Sequence, residues 1–241
     1  MQYVRVPKTM NNSLQNKKIF IVGGSSGIGL AVSKQAYKLG ASIIIASRNA
    51  SEKHNDLSNA VGHSIETYSF NATSEDETEK TLKKIGNIDH LVITIRPDIK
   101  PAAFEKTDIK NAKVAFETKF WGQYQLIQKA RNQIDRNGSI IMTTGIAGEK
   151  IFDNFSTMAI INSATETLCR SLAIELAPIR VNVVSPGFVG PKSEEVEKYA
   201  QQFPLRKLAL PEEVAETYIF LMLSSYTTGT SMVIDGGARL I

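Results

Sequence analysis

A glycine-rich turn between an apolar run and an amphipathic segment constrains this chain more than any other feature. The apolar residues 19–22 precede Gly23, Gly27 and Gly29, and apolar residues then recur at helical spacing. This pattern predicts a strand, a tight turn and a helix. The first turn of such a helix points unpaired N–H groups and the positive end of the helix dipole at one place, which suits a pyrophosphate.

Each glycine of the turn has a separate expected role. Gly23 turns the chain sharply off the strand, Gly27 lets a phosphate approach the backbone, and Gly29 lets the helix lie close to the sheet. The alternative is a tight turn without a ligand, but the flanking strand and helix favour a dinucleotide site. The residues expected to bind the cofactor here are Gly23, Ser25, Ser26, Gly27, Ile28 and Gly29.

Strands and helices alternate along the rest of the chain. The pattern predicts long helices over 111–131 and 155–176, and strands at 19–22, 41–46, 64–70, 89–95, 138–143, 180–184 and 231–234. Such alternation predicts the α/β class, as a doubly wound Rossmann fold with a seven-stranded parallel sheet and helices on both faces. Because no linker or repeat divides the chain, we expect residues 17–241 to form a single dinucleotide-binding domain and residues 1–16 an N-terminal extension.

The end of the second predicted strand indicates which dinucleotide binds. Ser47 and Arg48 follow residues 41–46, and no acidic residue is present there to bind the ribose hydroxyls. Arginine offers a fixed fork of donors that suits a 2′-phosphate, the alternative being a surface arginine at a strand end. We therefore expect NADP(H) rather than NAD as the cofactor. Asn71 and Ala72, after the third predicted strand, are where an adenine ring would lie.

Composition and charge argue against several other classes of function. The net charge is +4 and the pI about 9.0, but no basic stripe is interleaved with aromatic residues, so no nucleic-acid partner is expected. No apolar run is long enough to cross a bilayer and residues 1–18 lack the apolar centre of a secretory signal, which predicts a cytoplasmic protein without a membrane partner. Cys169, the single cysteine, is expected in the core. The three histidines show no metal-ligand spacing, so no metal site is expected.

Several further motifs resemble the short-chain dehydrogenase/reductase family, and the resemblance covers nearly all of residues 17–241. The glycine turn matches the family's cofactor loop, with Val22 in place of the usual threonine. The other matching segments are 88–92, 138–141, 179–187, 211–215, 228–229 and 235–237. The resemblance implies that Pro186 and Gly187 line the nicotinamide side and that the backbone of Val189 faces the carboxamide. It also implies an oxidoreductase that acts on a small molecule and assembles through its long helices as a homodimer or homotetramer.

None of the family's four catalytic residues is present where its motifs place them. The serine position falls on Gly145, the tyrosine position on Met158, the lysine position on Asn162 and the asparagine position on Lys119. A thioether cannot exchange a proton, a carboxamide carries no charge to lower a neighbouring pKa, and glycine offers no hydroxyl to an oxyanion. Since positioned acid–base groups contribute about 10²–10⁴-fold, the resemblance implies a site without the usual machinery for carbonyl reduction.

Two replacements bring new cations into the expected site. Lys119 stands in the site region, and Arg96 lies where the family has a glycine near the cofactor. They would bind an anionic substrate, or Lys119 would take over the role of the missing lysine at the nicotinamide ribose. The alternative is that Lys119 points to solvent and Arg96 pairs with a carboxylate or a cofactor phosphate. Arg96 and Asn162 are counted with the cofactor-binding residues, and Lys119 and Thr144 are the candidate catalytic groups.

Two functions of different classes remain open from the sequence. The first is an NADP(H)-dependent oxidoreductase that takes its proton from water, the substrate or a non-standard group. The second is a catalytically silent NADP(H)-binding protein that senses the cofactor or scaffolds a partner. The family's substrate lid corresponds to residues 192–206, and its short length here predicts an open site or one completed by another subunit.

Overall fold

Short apolar segments form the strands of this chain, and amphipathic segments between them form the helices. The computed structural model describes residues 13–62 and 65–241. The strands are β1 Lys18–Val22, β2 Ser42–Ser47, β3 Ile65–Ser69, β4 Ile88–Ile93, β5 Ile134–Thr143, β6 Arg180–Pro186 and β7 Ser231–Ile234. The helices are α1 Gly27–Lys38, α2 His54–Val61, α3 Glu75–Ile85, α4 Ile109–Phe116, α5 Gly122–Ala130, α6 Ser156–Glu175, α7 Glu194–Ala200 and α8 Pro211–Leu223.

The strand order reverses beside β1, and this reversal fixes where a ligand can bind. All seven strands are parallel and lie in the order β3-β2-β1-β4-β5-β6-β7. The connections from β1 and from β4 therefore leave the sheet in opposite directions. In such sheets a crevice opens at the carboxyl ends of the strands on either side of the reversal.

Helices cover both faces of the sheet and bury two separate apolar clusters. The cluster beneath α1 and α8 includes Val32 and Tyr218, and the cluster beneath α3, α5 and α6 includes Leu82, Leu126 and Leu168. Because successive strand residues point to opposite faces, each buried strand is apolar on both sides. The predicted doubly wound Rossmann fold, with its seven-stranded parallel sheet, is confirmed.

The helix predicted over 111–131 is two helices joined by a π-helical turn. Helix α4 ends at Phe116, the turn spans Glu117–Trp121, and α5 begins at Gly122. A π-turn widens the helix by one residue and is common at functional sites. Lys119 lies within this turn and its side chain is buried.

Residues 13–16, which the sequence pattern assigns to an extension, pack on the domain. Leu14 is 2% exposed within the cluster beneath α1, and its N–H donates to the carbonyl of Leu39 at 2.9 Å. The packed domain therefore begins before Lys17. The rest of the predicted extension, residues 1–12, lies outside the described residues, as does Ser64 of the third predicted strand. Within the described ranges, no helix combines the length and apolarity needed to span a bilayer.

Candidate functional site

The turn after β1 leaves no room for side chains at two of its glycines. A Cβ on Gly29 would lie 2.5 Å from both Gly23 O and Thr94 Oγ1, and one on Gly23 would lie 2.7 Å from Thr94 Oγ1. Thr94 is fixed there because its hydroxyl and its N–H both donate to Val22 O, at 3.1 and 2.8 Å. The start of α1 consequently lies directly against the ends of β1 and β4.

Gly27 differs from these glycines because it faces open space. Its φ is +50°, and no heavy atom lies within 4 Å of a Cβ built on it. The N-cap residue Ser26 makes no side-chain capping bond, and the first turn of α1 carries no acidic residue. In α3, by contrast, the N-cap side chain accepts a backbone N–H and three acidic residues follow. The first turn of α1 therefore fits the pyrophosphate of a dinucleotide.

The expected adenosine-binding residues lie at the ends of the neighbouring strands β2 and β3. The parallel register pairs Ser47 with Ser69, so these two strand ends lie side by side, with β1 on the other side of β2. Arg48 is exposed and forms no ion pair with a described residue. Asn71 is exposed and Ala72 half-buried just beyond β3. These residues thus border one edge of the crevice.

At the carboxyl ends of β5 and β6, residues from separate elements form one hydrogen-bonded group. Lys119 Nζ donates to Asn162 Oδ1 at 2.8 Å and to Thr144 O at 3.2 Å. Asn162 Nδ2 donates to Gly145 O at 3.1 Å. A Cβ on Gly145 would lie 3.5 Å from Pro186 O, so this group also borders the end of β6. The alternative in which Lys119 points to solvent is wrong, because its side chain reaches into the site.

The ammonium of Lys119 is buried without a carboxylate partner. The residue is 5% exposed, and both hydrogen-bond partners are neutral amide oxygens. Burial disfavours the charged form, and the nearby positive charge of Arg96 disfavours it further, so the pKa of Lys119 falls from 10.5 to about 8. This lysine therefore changes its protonation state near neutral pH.

The position usually held by a tyrosine opens into a cavity. Met158 lines a cavity of about 500 Å³ between the segment that follows β4 and the start of α6, together with Asp98, Lys100 and Asn154. Its thioether has no proton to give. Gly145 has space for a side chain, since a Cβ there would make only ordinary contacts of 3.4–3.5 Å. Neither Met158 nor Gly145 therefore offers a hydroxyl to this region, although the backbone at Gly145 leaves space for a Cβ.

Two further hydroxyls near the carboxyl ends of the strands, those of Thr144 and Thr143, are engaged elsewhere. Thr144 Oγ1 donates to Glu166 Oε1 at 3.3 Å, and burial raises the pKa of Glu166. Thr143 Oγ1 lies 2.6 Å from the hydroxyl of Tyr218, and burial raises the pKa of that tyrosine. Tyr218 is a buried residue of α8, which covers the opposite face of the sheet from α6 and its Asn162. It therefore does not replace the missing tyrosine.

The lid segment is fixed on the chain that leaves β6. The N–H of Gly187 donates to the end of β7, and Val189 pairs with the segment before α8. Phe188, between them, packs on Tyr199 and Phe203 of the lid, with ring centroids 5.7 and 5.2 Å apart. The sequence analysis did not identify this aromatic cluster, although aromatic residues on both sides of a short helix were its signal.

The cysteine and the buried histidine lie in the core and not in the site. Cys169 Sγ donates to Val181 O at 3.4 Å, and burial raises the pKa of its thiol to about 12. His90 Nδ1 lies 2.8 Å from Ser139 Oγ, and burial lowers the pKa of His90 to about 4. His63 lies outside the described residues. Across residues 13–62 and 65–241, no group of three or more His, Cys, Asp or Glu side chains could hold a metal ion.

Comparison with known proteins places this geometry among dehydrogenases and reductases. The model of the family described as enoyl-(acyl carrier protein) reductase matches residues 22–239. A short-chain dehydrogenase/reductase of Stachybotrys chlorohalonatus is 33% identical, and the alignment covers 95% of this chain and 99% of that protein. The 3-oxoacyl-[acyl-carrier-protein] reductase of Rickettsia prowazekii is 31% identical, over 95% of this chain and 99% of its own length.

Solved structures show the same similarity. A protein described as a short chain dehydrogenase/reductase family protein superimposes with a TM-score of 0.87 at 30% identity, covering 95% of this chain and 100% of its own. A small-chain dehydrogenase in complex with NADPH superimposes with a TM-score of 0.79 at 28% identity, covering 93% of this chain and 99% of its own. The similarity thus extends over almost the whole chain and includes a protein with a bound dinucleotide.

Replacing Lys119 by methionine tests the buried ammonium through stability. Because folding lowers this pKa from 10.5 to about 8, the unfolded chain binds more protons between those pH values, and wild-type stability should rise with pH across that window. The full shift corresponds to about 3 kcal/mol. We expect Lys119→Met to lose this rise in urea denaturation at pH 8 and pH 10. Lys113→Met, on the exposed part of α4, should keep it. Identical pH dependence in Lys119→Met and the wild type would contradict the buried charge.

Proposed function

The chain belongs to the short-chain dehydrogenase/reductase family, and on that premise we propose that it binds NADP(H) and acts as an oxidoreductase with an atypical proton-handling site. The glycine turn carries the cofactor part of this proposal. Gly27 faces open space beside a helix N-terminus that no side chain caps, while Gly29 admits no side chain. A dinucleotide bound along the carboxyl edge would place its pyrophosphate there.

The preference for the phosphorylated cofactor rests on the end of β2. Arg48 is exposed there, and the neighbouring Ser47 and Asn49 are neutral, with Ser47 Oγ donating to Asn49 Oδ1 at 3.3 Å. A carboxylate in this place would accept hydrogen bonds from the ribose hydroxyls of NAD and would repel a 2′-phosphate. An arginine forms charge-assisted hydrogen bonds with a phosphate instead. The proposed cofactor is therefore NADP(H).

The bound cofactor would supply or accept a hydride, and this chain's residues would orient it and handle the proton. Lys119 and Asn162 stand at the positions of the family's asparagine and lysine, so the cation and the amide of that pair have exchanged places. Their 2.8 Å hydrogen bond keeps an ammonium within the site, where it can hold or release a proton near neutral pH. This group, rather than Met158, is the proposed local proton carrier.

A silent NADP(H)-binding protein is the second candidate, and a specific observation favours it. Met158 and Gly145 remove the two hydroxyls that would donate to a substrate carbonyl, and Thr144 Oγ1 is engaged with Glu166. Such a protein would sense the cofactor or scaffold a partner without turnover. The two functions differ in whether any carbonyl compound is reduced by the wild-type protein.

The cofactor preference is tested by replacing Arg48. We expect the wild type to bind NADPH more tightly than NADH. Arg48→Ala should weaken the binding of NADPH by about 10- to 100-fold, because a charge-assisted hydrogen bond to the phosphate is lost. NADH affinity should not change. Fluorescence titration of both cofactors measures this, with Lys53→Ala as an exposed neighbouring control. Equal wild-type affinities would contradict the preference, and no affinity for either cofactor would contradict dinucleotide binding.

Restoring the family's catalytic residues tests the catalytic part of the proposed function. The variant Lys119→Asn, Gly145→Ser, Met158→Tyr, Asn162→Lys should reduce aldehydes, ketones or quinones at least about 100-fold faster than the wild type, as positioned acid–base groups do. Spectrophotometric NADPH oxidation over a substrate panel measures this. The same variant with Met158→Phe is the matched control without the hydroxyl. Wild-type turnover that Lys119→Met abolishes supports the atypical oxidoreductase, whereas saturable NADPH binding with no turnover supports the silent protein.

We also propose that a second copy of this chain covers the outer face of α6 and of the π-turn Glu117–Trp121. Phe120, Ile151, Ile160 and Leu168 line an uncharged groove of about 640 Å³, and Trp121 beside it is 51% exposed. Two copies related by a twofold axis would bury the same patch on each subunit. This is the assembly through long helices that the family resemblance implies.

A charge placed in this groove tests the assembly. Ile160→Lys should shift the mass measured by light scattering from a dimer or tetramer toward a monomer, because a buried unpaired charge destabilises the interface. Ile160 is 57% exposed in the isolated chain, so its replacement should not disturb the core. Ile174→Lys on the same helix, outside the groove, is the control. A wild-type monomer would contradict the proposal.

A further inference from the structure

Three basic residues lie at the carboxyl ends of three adjacent strands. Arg96 follows the end of β4 by three residues, and Lys192 follows the end of β6 by six. Lys119 reaches the end of the strand between them, because its Nζ donates to Thr144 O at 3.2 Å. Since β4, β5 and β6 are neighbours in the sheet, their ends share one side of the crevice. These three residues are called the cation cluster below.

The cation cluster has no acidic partner in the described part of the chain. None of its members forms an ion pair within 4 Å with a carboxylate of residues 13–62 or 65–241. The nearest acidic residues along the chain, Asp98 beyond β4, Glu117 before Lys119 and Glu194 at the start of α7, are all exposed. Lys119 donates two of its three ammonium protons, so one donor remains available.

The members of the cluster affect one another electrostatically. Burial lowers the pKa of Lys192, and the charge of Arg96 lowers it further, as it does for Lys119. Arg96 thus acts on both lysines. Like charges that are brought together and partly removed from water cost free energy, and a bound anion would offset this cost.

The phosphates of the proposed cofactor have their own donors elsewhere. The first turn of α1 accounts for the pyrophosphate, and Arg48 accounts for a 2′-phosphate, at the ends of β1 and β2. The cation cluster lies at the ends of β4, β5 and β6, and the cavity of about 500 Å³ that Met158 lines begins at Asp98, two residues beyond Arg96. An anion bound to the cluster would thus belong to a different molecule from the cofactor.

We propose that Arg96, Lys119 and Lys192 bind the anionic oxygens of a ligand, and that the substrate of this site is an oxo acid whose carboxylate binds there. The inference rests on the proposed function, because a carbonyl substrate beside a dinucleotide is assumed. Arginine binds a carboxylate through two parallel hydrogen bonds, and the two lysines add positive charge. An ester of the same acid would lack this interaction.

The test compares 2-oxo and 3-oxo acids with their own ethyl esters, for example acetoacetate with ethyl acetoacetate. Calorimetric titration into the NADP⁺-loaded full chain should show at least one acid that binds at least about 10-fold more tightly than its ester. Arg96→Met and Lys192→Met should each weaken the binding of that acid about 10-fold and leave the affinity for the ester unchanged. Arg96→Lys should retain part of the affinity. Lys198→Met, exposed on α7, is the control that should change nothing.

Titration of NADPH into the same variants distinguishes the two sources of anionic oxygen. If Arg96→Met and Lys192→Met weaken the binding of NADPH as much as the binding of the acid, the cluster binds the cofactor's phosphates. The substrate assignment is then overturned. Acids that bind no better than their esters overturn it as well. If the wild type binds no NADPH, the proposed function fails, while acid binding to the cofactor-free chain still shows whether the cluster holds an anion.

Discussion

The close contact between Thr94 and the glycine turn positions most of the site. Thr94 donates twice to Val22 O, and its side chain occupies the space that a Cβ on Gly23 or Gly29 would need. As a result, α1 begins directly at the ends of β1 and β4, which is where the strand order reverses. A helix N-terminus and an open crevice are thereby brought to one place, and the other site residues take their positions from strands on either side.

The buried ammonium of Lys119, whose hydrogen-bond partners are neutral, dominates the electrostatics of the site at the ends of β5 and β6. Two amide oxygens satisfy hydrogen bonds of Lys119 but do not neutralise its charge, so desolvation is only partly compensated and its pKa falls. Lys119 lies on the π-turn before α5 and Asn162 on α6, so this hydrogen bond joins two segments that are far apart in the chain.

The sequence predicted the fold class and the family, and both are confirmed. It could do so because glycines at fixed spacing, apolar strands and the alternation of strands with helices are properties of local segments. It did not predict α2 or α7, which are short and bury only two residues and one residue, respectively. It read residues 111–131 as one helix because a π-turn adds a residue without interrupting an amphipathic pattern. Leu14 was assigned to an extension because a single apolar residue among polar neighbours gives no periodic signal.

For the candidate site, too, the sequence predicted some features and missed others. Motif spacing placed Gly145, Met158, Asn162 and Lys119 at the expected catalytic positions, and the structure brings Gly145, Asn162 and Lys119 into one hydrogen-bonded group. The cofactor residues of the glycine turn and of β2 remain predictions about binding, although their positions beside the crevice agree with that role. Lys192 was considered only as the start of the lid, because nothing in its local sequence relates it to Arg96.

The sequence by itself determined that the chain forms a seven-stranded parallel sheet with helices on both faces, and which residues stand where the family's motifs would place a serine, a tyrosine and a lysine. Both follow from which residues occur and at what spacing. Only the tertiary structure decided that Lys119 is buried against Asn162, that Gly145 has room for a side chain, and that three cations share one side of the crevice. These depend on distances between segments far apart in the chain, which parallel strand pairing sets and which no local pattern encodes.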